Sequence, residues 1–204
     1  MTDSVFMNIL KTRRSIRRFQ DKPVPRKIVH ALIEAATWAP SAGNRQNWMF
    51  SAIASPTLKE KMAAEARAGW QGAFDQPGMK TVADAMQEYS RHFDWFSKAP
   101  VVIVLSAKRP EKFMDKMFGA TGPDVAGTKT SVAMAAQNLM LAAHASGLGS
   151  CCLTAPLAAQ EKLKTLLGLG VRQDIVCLIA LGYADENPDQ PSRKTVDSVA
   201  RYFE

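Results

Sequence analysis

A chain of 204 residues with 47% hydrophobic and 22% charged residues has ordinary globular composition, which excludes a disordered chain. At this length roughly 70% of the unfolded surface is buried on folding, so neither a disulfide framework nor a metal staple is required. Lys and Arg number 26 against 19 Asp and Glu, and the resulting +7 attracts anions of every kind without selecting one.

From the N-terminus, Val5, Phe6, Ile9 and Leu10 recur at helical spacing, and Thr2, Asp3 or Ser4 offers a cap. The same stretch, "MTDSVFMNILKTRR", has no basic segment followed by an apolar run and does not read as a secretory leader. Next, "LKTRRSIRRFQDKPVP" crowds Arg13, Arg14, Arg17 and Arg18 around Ser15, Ile16 and Phe19 before Pro23 and Pro25 break the chain. Four guanidinium groups within six positions repel one another unless something negative sits among them. Nucleic acid, an acidic membrane surface and a cofactor phosphate are the candidates; taken alone, the cluster reads as a solvated basic turn.

A second helix fits from about Pro25 to Trp38, with Ile28, Leu32, Ile33 and Ala36 on one face. Pro25 suits its first turn, and Pro40 ends it by restricting Ala39. The loop "PSAGNRQN" leads into a strand, "WMFSAIAS". Thr57 to Ala68 is helical and charged outside, and the pattern lapses from Gly69 to Lys80, where Gly72, Pro77 and Gly78 signal turns. Helical spacing resumes from about Thr81 to Phe96. "PVVIVLSA" suits a buried strand, and Lys108 to Gly127 reads as loop or partial helix.

The strongest helix runs from Thr128 to Ser146 and ends at Gly147, which can take the left-handed cap. It is poor in polar residues nearly all round, which places it at the centre of the fold or in an interface. Gln137, Asn138 and His144 interrupt its apolar run and argue against a membrane span. "LGSCCLTA" and "DIVCLIALGY" read as strands around a short helix from about Leu157 to Leu167. With no repeat or linker, the class is α+β or three-layer α/β/α, in one domain over residues 1–204.

Most chemical signatures fail. "GLGSCC" at Gly147 begins like a dinucleotide fingerprint, but Cys152 stands at its third glycine position and a helix precedes it. There is no Walker motif and no GxSxG elbow. His30, His92 and His144 lack ligand spacing and read as packed or surface residues, so no metal is expected. Cys151, Cys152 and Cys177 form no CxxC pair, and the neighbours Cys151 and Cys152 read as small strand residues rather than nucleophiles. Three unpaired cysteines predict a reducing, cytoplasmic setting.

Four segments together carry a resemblance: "RRSIRRF", "APSAGNRQNW", "QNLMLAAHASGLGSC" and "LIALGYADENPDQPSRK". In this order and spacing they resemble the FMN-dependent nitroreductase family over essentially the whole chain. The resemblance implies a nitroreductase-like fold, helices around a mixed central sheet, in an intertwined homodimer. It also implies that the anion among the arginines is FMN. Arg13, Arg14, Ser15 and Arg17 match the family's first flavin segment, with Arg13 and Arg193 aimed at the ribityl phosphate, which guanidinium forks hold bidentately. Lys194 is the alternative to Arg193. Arg17 stands where the family places a cation near the N1–C2=O edge of the ring, where negative charge collects on reduction. Arg18 is expected to face solvent.

Pro40, Ser41, Gly43, Asn44 and Gln46 match a second flavin segment, which the family contributes from the opposite subunit. Neutral side chains of this kind offer donors and acceptors to ribityl hydroxyls and ring heteroatoms. Asn47 stands where relatives often carry proline. Thr154 and Ala155 match the backbone near flavin N5, and Pro156 has no N–H to offer there. Among the aromatic residues Trp70, Phe74, Tyr89, Phe93, Trp95 and Phe96, the loop residues Trp70 and Phe74 are the candidate substrate contacts.

The implied activity is ping-pong transfer of hydride from NADH or NADPH to nitroaromatic, quinone or related acceptors, with no catalytic side chain required. Rival readings are another reaction on the same scaffold (enone reduction, azoline oxidation, dehalogenation or flavin cleavage), a flavin carrier, and a nucleic-acid-binding module. The last lacks interleaved aromatic and basic motifs.

Overall fold

The computed structural model describes residues 4–74, 94–109 and 123–203. The first helix, α1, spans Val5–Thr12, and of the three candidate caps Ser4 serves, its Oγ accepting the Met7 N–H at 3.2 Å. None of its residues is buried, and Val5 and Phe6 lie exposed. Helix α2 spans Arg26–Thr37, with Pro25 as its cap residue rather than in its first turn. Val29, Leu32 and Ala36 form its buried stripe, flanked by the half-buried Ile28 and Ile33.

Strand β1 covers Trp48–Ile53, β2 Val101–Lys108, β3 Gly149–Leu153 and β4 Gln173–Gly182, and the sheet order is β1-β2-β4-β3. All three pairings are antiparallel, and the parallel component of the sheet is the bridge between Ser15 and Ser150. Alternation along the two central strands builds the layers. Val101, Ile103, Leu105, Cys177, Ile179 and Leu181 pack with Val29, Leu32 and Leu139 on one face. On the other, Val102, Val104, Leu178 and Ala180 pack with Met62, Ala66 and Leu163. A bulge between Leu105 and Ser106 shifts the β2–β4 register, so that Val176 and Cys177 both face the first layer. The three-layer α/β/α arrangement predicted from sequence is thus the observed one.

Helix α3, Pro56–Phe74, is longer than its expected span, because Gly69 is a contact and not a break. A Cβ at Gly69 would lie 2.9 Å from the Ala158 carbonyl, in the 3-10 turn Ala155–Ala159 that precedes helix α5 (Gln160–Leu166). Trp70 therefore sits on a helix, not in a loop, and donates its indole N–H to the Ala155 carbonyl at 2.8 Å. Gly69→Ala should lower stability by about 1–3 kcal/mol through this overlap, although alanine is the better helix former by about 1 kcal/mol. A fall in the urea midpoint is expected; a rise would show that helix and turn do not touch.

Helix α4 spans Pro123–Ala145 and begins five residues before the expected start at Thr128. Its C-terminal end is as predicted: Gly147 has φ +75°, and the Leu148 N–H returns to the Ala143 carbonyl at 2.9 Å. Val132, Ala135, Leu139 and Ala143 are buried, but Met134 on the outer side is 43% exposed, so the helix packs on the sheet with one face only. No helix among the described residues is long and apolar enough to cross a membrane. The helix expected from Thr81 to Phe96 lies largely outside the described residues, which resume before a 3-10 turn at Trp95–Lys98.

Candidate functional site

Residues 13–19 form no helix; they run extended along the sheet's β3 side. The Ile16 N–H donates to the Ser150 carbonyl at 3.1 Å, and Phe19 bridges Ala184 beyond the end of β4. The approach is possible because position 149 is glycine: a Cβ there would lie 2.8 Å from the Ile16 side chain. Both ends of the segment are tied down, since Thr12 meets His144 at 2.8 Å and Phe19 stacks on Trp95 with ring centroids 6.4 Å apart.

A carboxylate that sequence reasoning did not single out holds the middle. Glu186 Oε1 accepts the backbone N–H groups of Arg17 and Arg18, the latter at 3.1 Å, and Oε2 lies 3.4 Å from Arg18 Nε. Burial alone would push this carboxyl up. The two backbone N–H bonds and the Arg18 and Arg17 charges outweigh it and hold the group below its ordinary range. Its signal in the sequence was charge alone: an acid just past a strand, opposite four arginines.

The predicted first-segment residues divide in their use. Arg14 caps α1, its Nη1 donating to the carbonyls of Lys11 at 2.7 Å and Arg13 at 2.8 Å. Arg18 is solvent-facing as expected, with a side chain 73% exposed. Ser15 and the Arg17 and Arg13 charges act on Cys151, whose thiol burial nevertheless holds above its ordinary value. That leaves Cys151 a poor nucleophile at neutral pH.

The second predicted segment lies elsewhere. Pro40 follows the buried Ala39, and Ser41 starts a tight 3-10 turn at Ala42–Asn44. Ser41 Oγ accepts the Gln46 N–H at 3.1 Å, and the Gln46 amide donates to Asn44 Oδ1 at 3.0 Å. Gly43, Asn44 and Gln46 all have positive φ, of 60°, 52° and 45°. For the non-glycine pair this region costs roughly 1–2 kcal/mol per residue, and such strain concentrates at binding sites. Asn47 explains its departure from proline. Its side chain donates to Thr128 Oγ1 at 3.0 Å and to the Lys108 carbonyl at 3.2 Å, bonds that proline lacks.

Helix α4 measures the distance between the two segments. Its Ser131 Oγ accepts the Ala42 N–H at 3.1 Å, while His144, near its C-terminal end, meets Thr12. Thirteen residues of helix separate those anchors, or about 20 Å. One chain therefore does not bring Arg13, Ser15 and Arg17 together with Ser41, Asn44 and Gln46.

Thr154 and Ala155 follow β3 directly, with the Thr154 carbonyl accepting the Leu157 N–H at 2.9 Å. Arg193 and Lys194 are exposed in the C-terminal stretch; the bond found for Arg193 is to its neighbour's carbonyl at Ser192, so the chain does not dock it on Arg13. Of the aromatic residues, Phe96 is fully buried and Trp95 stacks on Phe19. Tyr89, Phe93 and the Phe74 side chain lie outside the described residues. Among the described residues no cluster of His, Cys, Asp and Glu could hold a metal ion.

A cavity of about 240 Å³ opens between the arginine segment and the C-terminal end of α4, lined by Arg13, Arg14, His144, Ser150, Glu186 and Asn187 among others. Burial, with the Arg13 and Arg14 charges, holds the His144 imidazole below its ordinary pKa. Two guanidinium groups and hydroxyls around a small space suit an oxyanion such as phosphate. The residues present therefore fit a flavin mononucleotide at its phosphate end.

Comparison with known proteins bears on the same segments. The model of the nitroreductase family matches residues 10–183, from the end of α1 through β4. The putative NAD(P)H nitroreductase YfhC of Bacillus subtilis is 25% identical, over 95% of this chain and 91% of its own. A BluB-like flavoprotein from Clostridium difficile superposes with a TM-score of 0.83 at 24% identity, over 99% of this chain and all of that one. Iodotyrosine deiodinase, solved with FMN and 3-iodo-L-tyrosine, superposes with a TM-score of 0.73 at 22% identity, over 98% of this chain and all of that one. At these identities the two structures establish likeness of fold.

Proposed function

The chain belongs to the nitroreductase family, and from that premise we propose that it is an FMN-dependent NAD(P)H oxidoreductase that reduces nitroaromatic, quinone or related electrophilic acceptors. The observation that carries the reading is the arginine segment: Arg13, Ser15 and Arg17 are held extended on β3 by a backbone bridge and by the Glu186 clamp. A solvated basic turn would have no need of such fixing.

Bound FMN would supply the redox chemistry, taking hydride from a nicotinamide donor and returning two electrons to the acceptor. The chain's own residues bind and orient. Arg13, with Arg193 or Lys194, holds the phosphate. Arg17 sets a cation at the pyrimidine edge of the ring, already fixed before the charge develops. Thr154 or Ala155 presents a backbone N–H near N5, and the Trp70 indole steadies that turn through the Ala155 carbonyl.

Ser41, Asn44 and Gln46 complete the site from a second copy of the chain. The motivation is the separation of about 20 Å along α4, together with the exposed apolar residues Val5 and Phe6 on α1 and Val196, Val199, Tyr202 and Phe203 near the C-terminus, which need cover. A two-fold axis would form two such sites at once.

Steady-state kinetics under nitrogen test the mechanism. Donor and acceptor would use one face of the flavin in turn, so double-reciprocal plots at several acceptor concentrations should be parallel. Intersecting lines would mean that two substrates sit in two pockets at once. Absence of turnover with nitroaromatics and quinones, but turnover with enones or halogenated aromatics, would move the chain to another reaction on this scaffold.

A further inference from the structure

A second cavity, of about 440 Å³, opens at the other end of β4, and no residue assigned to the flavin lines it. Gln173 lines it where β4 begins, whereas Ala184, beyond the end of β4, lines the cavity at Arg13. Eleven extended positions separate the two, or roughly 35 Å. They are different sites.

Four stretches of chain meet at this second cavity. Arg45 comes from the turn after Asn44, Trp48 and Met49 from the start of β1, Lys108 from the end of β2, and Arg172 and Gln173 from the start of β4. Backbone bonds fix their spacing: the Lys108 N–H donates to the Asn47 carbonyl at 3.1 Å and the Arg109 N–H to the Arg172 carbonyl at 2.8 Å. The Arg172 guanidinium donates to the Arg109 carbonyl at 3.3 Å, and the Gln173 amide to Met49 Sδ at 2.9 Å. The space is built by the fold itself.

Three cations line it, and among the described residues no carboxylate does. Alternation along β4 accounts for the nearest acid, because Gln173 faces the cavity and Asp174 the opposite side of the sheet. There Arg109 donates to Asp174 at 2.7 Å and holds its carboxyl below the ordinary range. Cations gathered around a cleft favour an anion in it. Trp48 and Met49 add an apolar wall, with Met49 50% exposed. A bare inorganic anion would leave that wall in water, and a neutral aromatic molecule would leave the cations unused. At about 440 Å³ the cavity lies in the roughly 300–1,000 Å³ range of small-molecule sites.

We propose that this cavity binds a small aromatic carboxylate, its ring against Trp48 and Met49 and its carboxylate held by Lys108 and Arg172. Guanidinium and ammonium donors suit that head, and the ring gains by stacking on the indole. The assignment goes beyond the flavin reading and stands whether or not the chain binds FMN.

The test titrates the purified protein, with FMN added, with 2-naphthoate in a calorimeter, and repeats the titration with the neutral 2-naphthalenemethanol. One 2-naphthoate per chain is expected, bound about tenfold tighter than the alcohol and weakened by added salt. Lys108→Gln and Arg172→Gln, both at exposed residues, should each weaken it about fivefold. Met49→Glu, which sets a like charge against the ligand, should abolish binding with the circular dichroism spectrum and flavin content unchanged. Equal affinity for the acid and the alcohol, or no binding of either, overturns the assignment. So does binding that persists in Met49→Glu and perturbs the flavin absorbance, which would place the ligand at the flavin.

Discussion

Arg13→Glu is expected to abolish FMN retention while the protein stays folded. The residue is half-buried at the start of the extended segment, and its charge is felt on both sides of β3, at His144 and at Cys151. Loss of a charge-assisted bond costs about 1.5–3 kcal/mol, or on the order of 10–100-fold in affinity. The new carboxylate then adds repulsion toward a phosphate that carries nearly two negative charges. Together these take retained flavin to background after gel filtration, with an unchanged circular dichroism spectrum as the control for folding. Arg193→Glu is the informative partner. Arg193 lies exposed in the C-terminal stretch, so loss of flavin there would mean that this stretch closes onto a phosphate. Full flavin content in that variant would pass the role to Lys194.

The second large effect is complementation between two dead variants. Arg13→Glu damages the first flavin segment and Asn44→Trp damages the second, and each homodimer should be colourless. A heterodimer of the two has one site with both lesions and one built from undamaged segments, provided each site draws on both chains. Co-expression with different tags and purification through both should therefore return flavin at one site in two, with about half the activity expected for two independent sites. If each site lay within one chain, both sites of the heterodimer would still carry a lesion. A stable heterodimer without flavin would contradict the shared site.

What the sequence disclosed follows from what is local. Gly147 announced the end of α4 because a left-handed cap is a property of one residue and its neighbours. The buried strands β2 and β4 announced themselves as continuous apolar runs. Gly69 misled, since a glycine that permits a close approach looks the same in sequence as one that ends a helix. Arg14 stood in one cluster with the other arginines, and only the geometry shows it capping α1. The family motifs gave roles to residues 13–17 and 40–46 among others, whereas His144, Ser150 and Glu186, which lie inside the same motifs, received none, and neither did Thr12. Those act through partners more than 130 positions away, and no local pattern encodes such a pairing. Asn47 is the intermediate case, a departure from the motif whose use became plain once its bonds to Thr128 and Lys108 were seen.

Flavin analysis of the purified protein decides whether two copies of this chain hold FMN between them. A yellow homodimer with one flavin per chain is expected, bleached by NADH or NADPH under nitrogen, its heat-released cofactor having the mass of FMN. A colourless protein that takes up no FMN when supplied, or one whose released flavin is mostly FAD, would contradict it.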